Sequence, residues 1–108
     1  MSNQEIGYFY ILSNKRNNVL YAGSTKNLLK RVKEHEKGYQ NGFTKKYNVN
    51  QLIYYEIFEQ VIMARNREKE VKGWKRTKKI RLIESKNKPW RDLSEELFGD
   101  PSSLRSSG

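Results

Sequence analysis

The 108-residue sequence predicts a small α+β fold, a three-stranded antiparallel sheet flanked by helices in the order β-β-α-β-α-α. Three observations predict it. Two short aromatic and β-branched runs, GYFYIL from Gly7 to Leu12 and VLYA from Val19 to Ala22, stand on either side of the polar cluster SNKRNN. A third such run, QLIYYEIF from Gln51 to Phe58, follows later. Around these runs lie stretches whose apolar residues recur at helical rather than alternating spacing. A chain of this length supports one compact core and not two, so one domain is expected over 1–98, with 99–108 as a flexible tail.

The elements follow in order. Gly7–Leu12 and Val19–Ala22 read as a hairpin joined by a longish loop, and Gly23 is expected to end the second strand. Asn27 suits an N-cap, because its side-chain carbonyl can accept a first-turn N–H. The first helix then runs from Leu28 to about Lys37, with Gly38 as its stop. Tyr39 to Asn50 is polar, contains Gly42 and reads as a loop. After the third strand, Val61 to Trp74 forms a second helix with Ala64, Val71 and Trp74 at helical spacing and Gly73 weakening its last turn. Thr77 to Ser85 is a third helix carrying Ile80, Leu82 and Ile83, and Pro89 and Trp90 open an extended C-terminal segment.

Charge narrows the function. Lys and Arg number 22 against 12 Asp and Glu, so the net charge of +10 favours a polyanionic partner. Aromatic residues make up 12% of the chain, seven of them Tyr, which a disordered basic tail would not carry. There is no Cys, which excludes disulfides, thiolate metal sites and cysteine nucleophiles. A single His excludes a multi-histidine zinc site. No apolar run approaches the roughly 20 residues that cross a bilayer. The N-terminal residues lack the basic and apolar regions of a signal peptide, so a cytoplasmic location is expected.

Several residues stand out singly. Tyr10 and Tyr21 lie on the two strands of one hairpin, where cross-strand aromatic pairs are ordinary sheet stabilisers. Arg31 and His35 share one face of the first helix, bordered by Leu28 and Val32. Glu68 falls four residues after Ala64 and three before Val71, on the stripe that a helix normally buries. A carboxylate there must be paired, hydrogen-bonded or metal-bound. A salt bridge to Arg65, Lys72 or Arg31 and a metal site are therefore both open.

Tyr8-Phe9-Tyr10, an eleven-residue step to Tyr21, and Tyr21-Ala22-Gly23 together resemble the paired signature of the GIY-YIG nuclease family. The match continues through YAGSTKNLLKRVKEH, where Arg31 and His35 fall at the spacings of the family's helix arginine and its histidine neighbour. The run ARNREKEVKGWKRTKKIRLIE, followed by PWRDL, is similar to the stand-alone single-domain branch, itself similar to the N-terminal endonuclease domain of the excinuclease C subunit. The likeness spans about Gly7 to Leu93. Tyr8 replaces the first glycine and Ala22 the isoleucine of the signature, and Ser24 stands where several members carry a Lys. Neither of the first two changes removes a reactive group. Asn87 matches a late family asparagine in rough position only.

The resemblance implies a metal-dependent phosphodiester hydrolase. In that branch the position of Glu68 binds the metal, Mg²⁺ or Mn²⁺, which keeps several waters and takes its remaining ligands from the substrate phosphate. Arg31 would clamp phosphate oxygens through its forked donors. Tyr21 would serve as general base, with Tyr10 positioning or sharing that role, and His35 would orient a partner or relay a proton. Lys26, Lys30, Lys33, Lys45 and Lys46, with the basic residues of the later helices, would give salt-sensitive, sequence-independent contacts to phosphates. The expected function is an endonuclease with DNA favoured over RNA, acting as a monomer, with a protein partner for specificity left open. Two other readings compete. A catalytically silent nucleic-acid-binding module would need none of Tyr21, Arg31 and Glu68, and a small protein-binding protein would need an exposed apolar patch.

Overall fold

The strand Gly7–Ser13, β1, is the middle of the sheet and has helices on both sides. In the computed structural model, which describes residues 5–36, 46–94 and 96 (the side chains of 35 and 36 apart), it is followed by β2 (Leu20–Thr25), α1 (Leu28–Glu36), β3 (Gln51–Phe58), α2 (Val61–Lys72) and α3 (Arg76–Lys86). The strand order is β2-β1-β3 with both pairs antiparallel, so the predicted α+β architecture and element order hold. Because β1 has no solvent face, it reads as a continuous apolar run, as two-sided burial requires. Phe9 and Ile11 pack with Ala22, Ile53, Tyr54, Val71 and Ile83 on the side of α2 and α3. Tyr10 and Leu12 pack on the other side with Leu28 and Val32 of α1, and with Val49 and Leu52.

Local chemistry sets the boundaries. Asn27 caps α1 as expected: its Oδ1 accepts the Lys30 N–H at 3.0 Å, while its own N–H donates to Thr25 Oγ1 at 3.1 Å. The expected helix end at Lys37, the stop at Gly38, most of the Tyr39–Asn50 loop and the 99–108 tail lie outside the described residues. Gly23 does not end β2, which continues to Thr25, and it pairs with Tyr10 inside the strand. α2 stops at Lys72, two residues before the expected Trp74. Gly73 turns the chain out of the helix, its N–H reaching Glu70 O, and the Trp74 N–H bonds Val71 O at 3.0 Å. Gly7 permits close layer packing, since a Cβ there would lie 2.6 Å from Val61 Cα at the start of α2.

β3 carries a bulge. Ile11 pairs with Tyr54 and Leu12 with Leu52, which leaves Ile53 as the extra residue. The segment after α3, expected to be extended, instead folds back to cover this irregularity, with Trp90 in the left-handed region at φ 58°. Asn87 is buried, and its Nδ2 donates to Ile53 O and to Arg91 O, each at 2.8 Å. Its Oδ1 accepts the Arg91 N–H at 3.0 Å. Leu93 N–H donates to Leu52 O at 2.7 Å, so this stretch of the outer edge of β3 is paired rather than bare. α2 is tied to β3 by Arg67, whose guanidinium grips both oxygens of Glu56 at 2.9 and 3.1 Å, while the Tyr54 hydroxyl donates to the same carboxylate. Burial, reinforced by Glu56, raises the Tyr54 phenol well above its ordinary value.

Two stability effects follow. Asn87→Ala, which leaves the Ile53 carbonyl and the Arg91 N–H without partners, should lower the unfolding free energy by about 2–3 kcal/mol in a urea titration; an unchanged midpoint would remove Asn87 from its clamping role. Gly7→Ala, which drives a methyl group into the backbone of α2, should cost about 1–3 kcal/mol, seen as a lower thermal midpoint.

Candidate functional site

The site is assembled around the outer edge of β2. Side chains of a strand alternate between faces, so Tyr10 and Tyr21 share the α1 side of the sheet and Ser24, paired with Phe9, shares the α2 side. The two sides meet at Gly23. A Cβ at that position would lie 2.5 Å from the Tyr10 hydroxyl oxygen and 2.7 Å from its Cζ, so the Tyr10 phenol occupies the space that any other side chain would need. Tyr10 is 1% exposed, and the Arg31 guanidinium of α1 acts electrostatically on its hydroxyl. Burial pushes its pKa up to about 12; the Arg31 guanidinium opposes that rise, while Tyr21 and Glu68 add to it. These electrostatic couplings identify Tyr10, Tyr21, Arg31 and Glu68 as one neighbourhood drawn from four elements.

Glu68 lies on α2 between the buried Ala64 and Val71, on the stripe the spacing indicated. Its side chain is 23% exposed, and both of its oxygens are engaged. Ser24 Oγ donates to Oε1 at 2.5 Å, and Lys72 Nζ lies 2.6 Å from Oε2. Of the three salt-bridge partners that spacing allowed, Lys72 is the one present. Its ammonium also stands 5.9 Å from the centre of the Tyr21 ring. Arg31 is 44% exposed, with Nε 3.6 Å from Glu34 Oε1, a pair weak enough for an incoming anion to replace. Ser24 is the member that sequence reasoning missed as a functional group. Its only signal was its place directly after the second half-motif.

Beside this cluster an open cleft of about 320 Å³ separates the start of α1 from the start of α2. Lys26, Lys30, Arg31 and Arg65 line it together with Ser24, Thr25, Asn27, Glu34 and Val61. Lys26 is paired with Glu5 at 3.0 Å, both side chains being well exposed. Lys33 is exposed on α1 and Lys46 precedes β3, its ammonium 5.5 Å from the Tyr47 ring; neither lines the cleft. Lys45 and the side chain of His35 lie outside the described residues, although the backbone of His35 is one turn beyond Arg31 on α1. Asn87 is far from a reactive role, since its whole amide is spent on backbone groups.

Among the described residues no three or more His, Cys, Asp or Glu side chains gather in a way that could cage a metal. The donor set is instead a single hard carboxylate, Glu68, with the Ser24 hydroxyl beside it. That set suits a divalent cation such as Mg²⁺, which keeps several waters and completes its shell with phosphate oxygens, and it does not suit a soft metal. Among the described residues no helix is long and apolar enough to cross a membrane.

Known proteins resemble this chain in sequence and in fold. The family model described as the GIY-YIG catalytic domain matches residues 6–81. A UPF0213 protein of Clostridium perfringens is 36% identical over 92 residues, covering 85% of this chain and 98% of its own length. Another from Pediococcus pentosaceus is 40% identical over 76 residues, 70% of this chain and 79% of that protein. The solution NMR structure of a UPF0213 protein from Bacillus halodurans superimposes with a TM-score of 0.53 at 29% identity, covering 83% of this chain and 95% of that one. The names of these relatives state no activity. On the extent of the model match and of these relatives, the chain belongs to the GIY-YIG family.

Proposed function

We propose that this protein is a metal-dependent endonuclease that hydrolyses phosphodiester bonds, with DNA as the favoured substrate. The observation that carries the reading is the grouping of Tyr21, Arg31 and Glu68 about Tyr10, next to a cleft lined by four basic side chains. Membership of the family supports nuclease chemistry and the use of a divalent cation. The choice of Mg²⁺ or Mn²⁺ follows from a single hard carboxylate donor.

Glu68 would hold the cation, with the Ser24 hydroxyl orienting the carboxylate. When bound, the cation supplies Lewis-acid stabilisation of charge on the phosphate oxygens. Arg31, released from Glu34, donates to the phosphate with its forked guanidinium while staying beside the Tyr10 phenol. Lys26, Lys30 and Arg65 receive the neighbouring phosphates along the cleft.

Of the two tyrosines, Tyr21 is the better general base. Tyr10 is enclosed and its phenol is held protonated up to about 12, so at neutral pH it keeps its proton beside the Arg31 guanidinium. Tyr21 is half-buried and has a cation near its ring. Tyr21 therefore takes the proton from the attacking water, while Tyr10 positions Arg31. His35, one turn beyond Arg31, is assigned an auxiliary orienting role. A catalytically silent binding module of the same fold is the second reading, favoured only by the basic surface.

Cleavage of a mixed panel of single-stranded, duplex and branched DNA and RNA tests the reading. Glu68→Gln should abolish Mg²⁺- or Mn²⁺-dependent cutting while salt-sensitive binding survives; binding without cutting by the wild type on every substrate would favour the silent module. Tyr21→Phe should slow cleavage by about 10²–10⁴-fold, the range typical of a general base. Tyr10→Phe should lower the rate without moving the pH profile, because the Tyr10 proton does not leave below about 12. An altered profile in Tyr10→Phe, with a normal one in Tyr21→Phe, would reverse the two assignments.

A further inference from the structure

In the free protein the carboxylate assigned to the cation is already fully engaged. Ser24 Oγ holds Oε1 of Glu68 at 2.5 Å, and Lys72 Nζ holds Oε2 at 2.6 Å. We infer that Lys72 is an exchangeable counter-ion: it occupies Glu68 until nucleic acid arrives, yields the carboxylate to a divalent cation, and then binds a phosphate oxygen of the substrate. The inference rests on the nuclease reading above and extends it to the order in which the site is loaded.

Three observations support it. Glu68 is mostly enclosed at 23% exposed and cannot be left uncompensated cheaply, so the free protein needs a cation there. Lys72 is 51% exposed on a long flexible stem, so its ammonium can swing away without disturbing the packed face of α2. Its ammonium stands 5.9 Å from the centre of the Tyr21 ring, within the site that would receive the substrate phosphate. Two neighbouring arginines are paired elsewhere, Arg67 with Glu56 and Glu70, and Arg31 with Glu34.

Electrostatics then sets the order. An ammonium and a divalent cation on one carboxylate repel each other, and a single carboxylate offers too little charge to bind the cation firmly over that repulsion. A substrate phosphate adds negative charge that accommodates both. Cation uptake is thereby weak in the free protein and strengthened by substrate. An ordinary i,i+4 helical ion pair would behave differently: Lys72 would take no part in holding the substrate, and its removal would leave KM for nucleic acid as it was.

The test is a titration of Mn²⁺ alone into the full chain without nucleic acid, followed by the electron paramagnetic resonance of free Mn²⁺, for wild type, Lys72→Met, Lys72→Arg and Glu68→Gln. Thermal unfolding checks that each variant folds. Lys72→Met should bind Mn²⁺ about tenfold more tightly than wild type or better, Lys72→Arg should resemble wild type, and Glu68→Gln should lose the site. In cleavage assays Lys72→Met should raise KM for nucleic acid despite its tighter cation binding. Equal or weaker Mn²⁺ binding by Lys72→Met, in a preparation whose wild type cuts, would overturn the exchange and leave the nuclease reading standing. Absence of both Mn²⁺ binding and cleavage in the wild type would overturn the two together.

Discussion

Tyr10 reaches the outer edge of β2 because the residue paired with it, Gly23, has no side chain to stand in its way. Sheets normally keep their two faces apart, and here the faces carry different parts: the tyrosines on the α1 side, Ser24 and Glu68 on the α2 side. A glycine in an edge strand costs some strand stability. In return it gives room to the Tyr10 phenol, on which Arg31, Tyr21 and Glu68 all act electrostatically. The buried setting of β1 makes the contact rigid, since Tyr10 is fixed by neighbours on every side and its hydroxyl has one place to go.

Much of this was readable before any coordinates. β3 matches its predicted span, Asn27 caps α1, and Glu68 sits on the apolar stripe that its spacing to Ala64 and Val71 marked. These features depend on local chemistry and periodicity, which a sequence displays directly. The misread features depend on partners distant along the chain. Gly23 looked like a strand terminator because the phenol that needs its space is contributed by another strand. Ser24 looked inert because Glu68, its acceptor, is 44 residues away. Asn87 resembled a reactive residue in position, yet its amide serves a bulge whose existence no local pattern announces. Lys72 was legible as one of three partners for Glu68, and only geometry could choose among them.

α2 also illustrates how one helix separates structural from reactive charge. Arg67 and Glu68 are adjacent in sequence and lie about 100° apart around the helix axis. Arg67 turns toward β3, where Glu56 and Glu70 neutralise it and Trp74 covers it, and its hydrogen bonds to Glu56 keep it firmly charged. Glu68 turns toward the edge of β2, where its companions are a hydroxyl and a half-exposed ammonium. The first set is closed and fixes the helix on the sheet. The second is open to exchange, and it depends on the first for its alignment.

The bulge at Ile53 acts as a parity switch for the strand that contains it. Every residue of β3 beyond it faces the opposite way from where uninterrupted alternation out of Leu52 would direct it. Tyr54 and Glu56 therefore look toward α2, where Arg67 waits, and Tyr55 looks toward α1. Regular pairing of the full-length segment, without the bulge, would turn half a strand inside out, aiming a carboxylate at the α1 core and an apolar stripe at a guanidinium. The bulge is thus as much a part of the fold's specification as the composition of the strand, and the chain reinforces it with a buried amide whose Nδ2 donates to the Ile53 carbonyl.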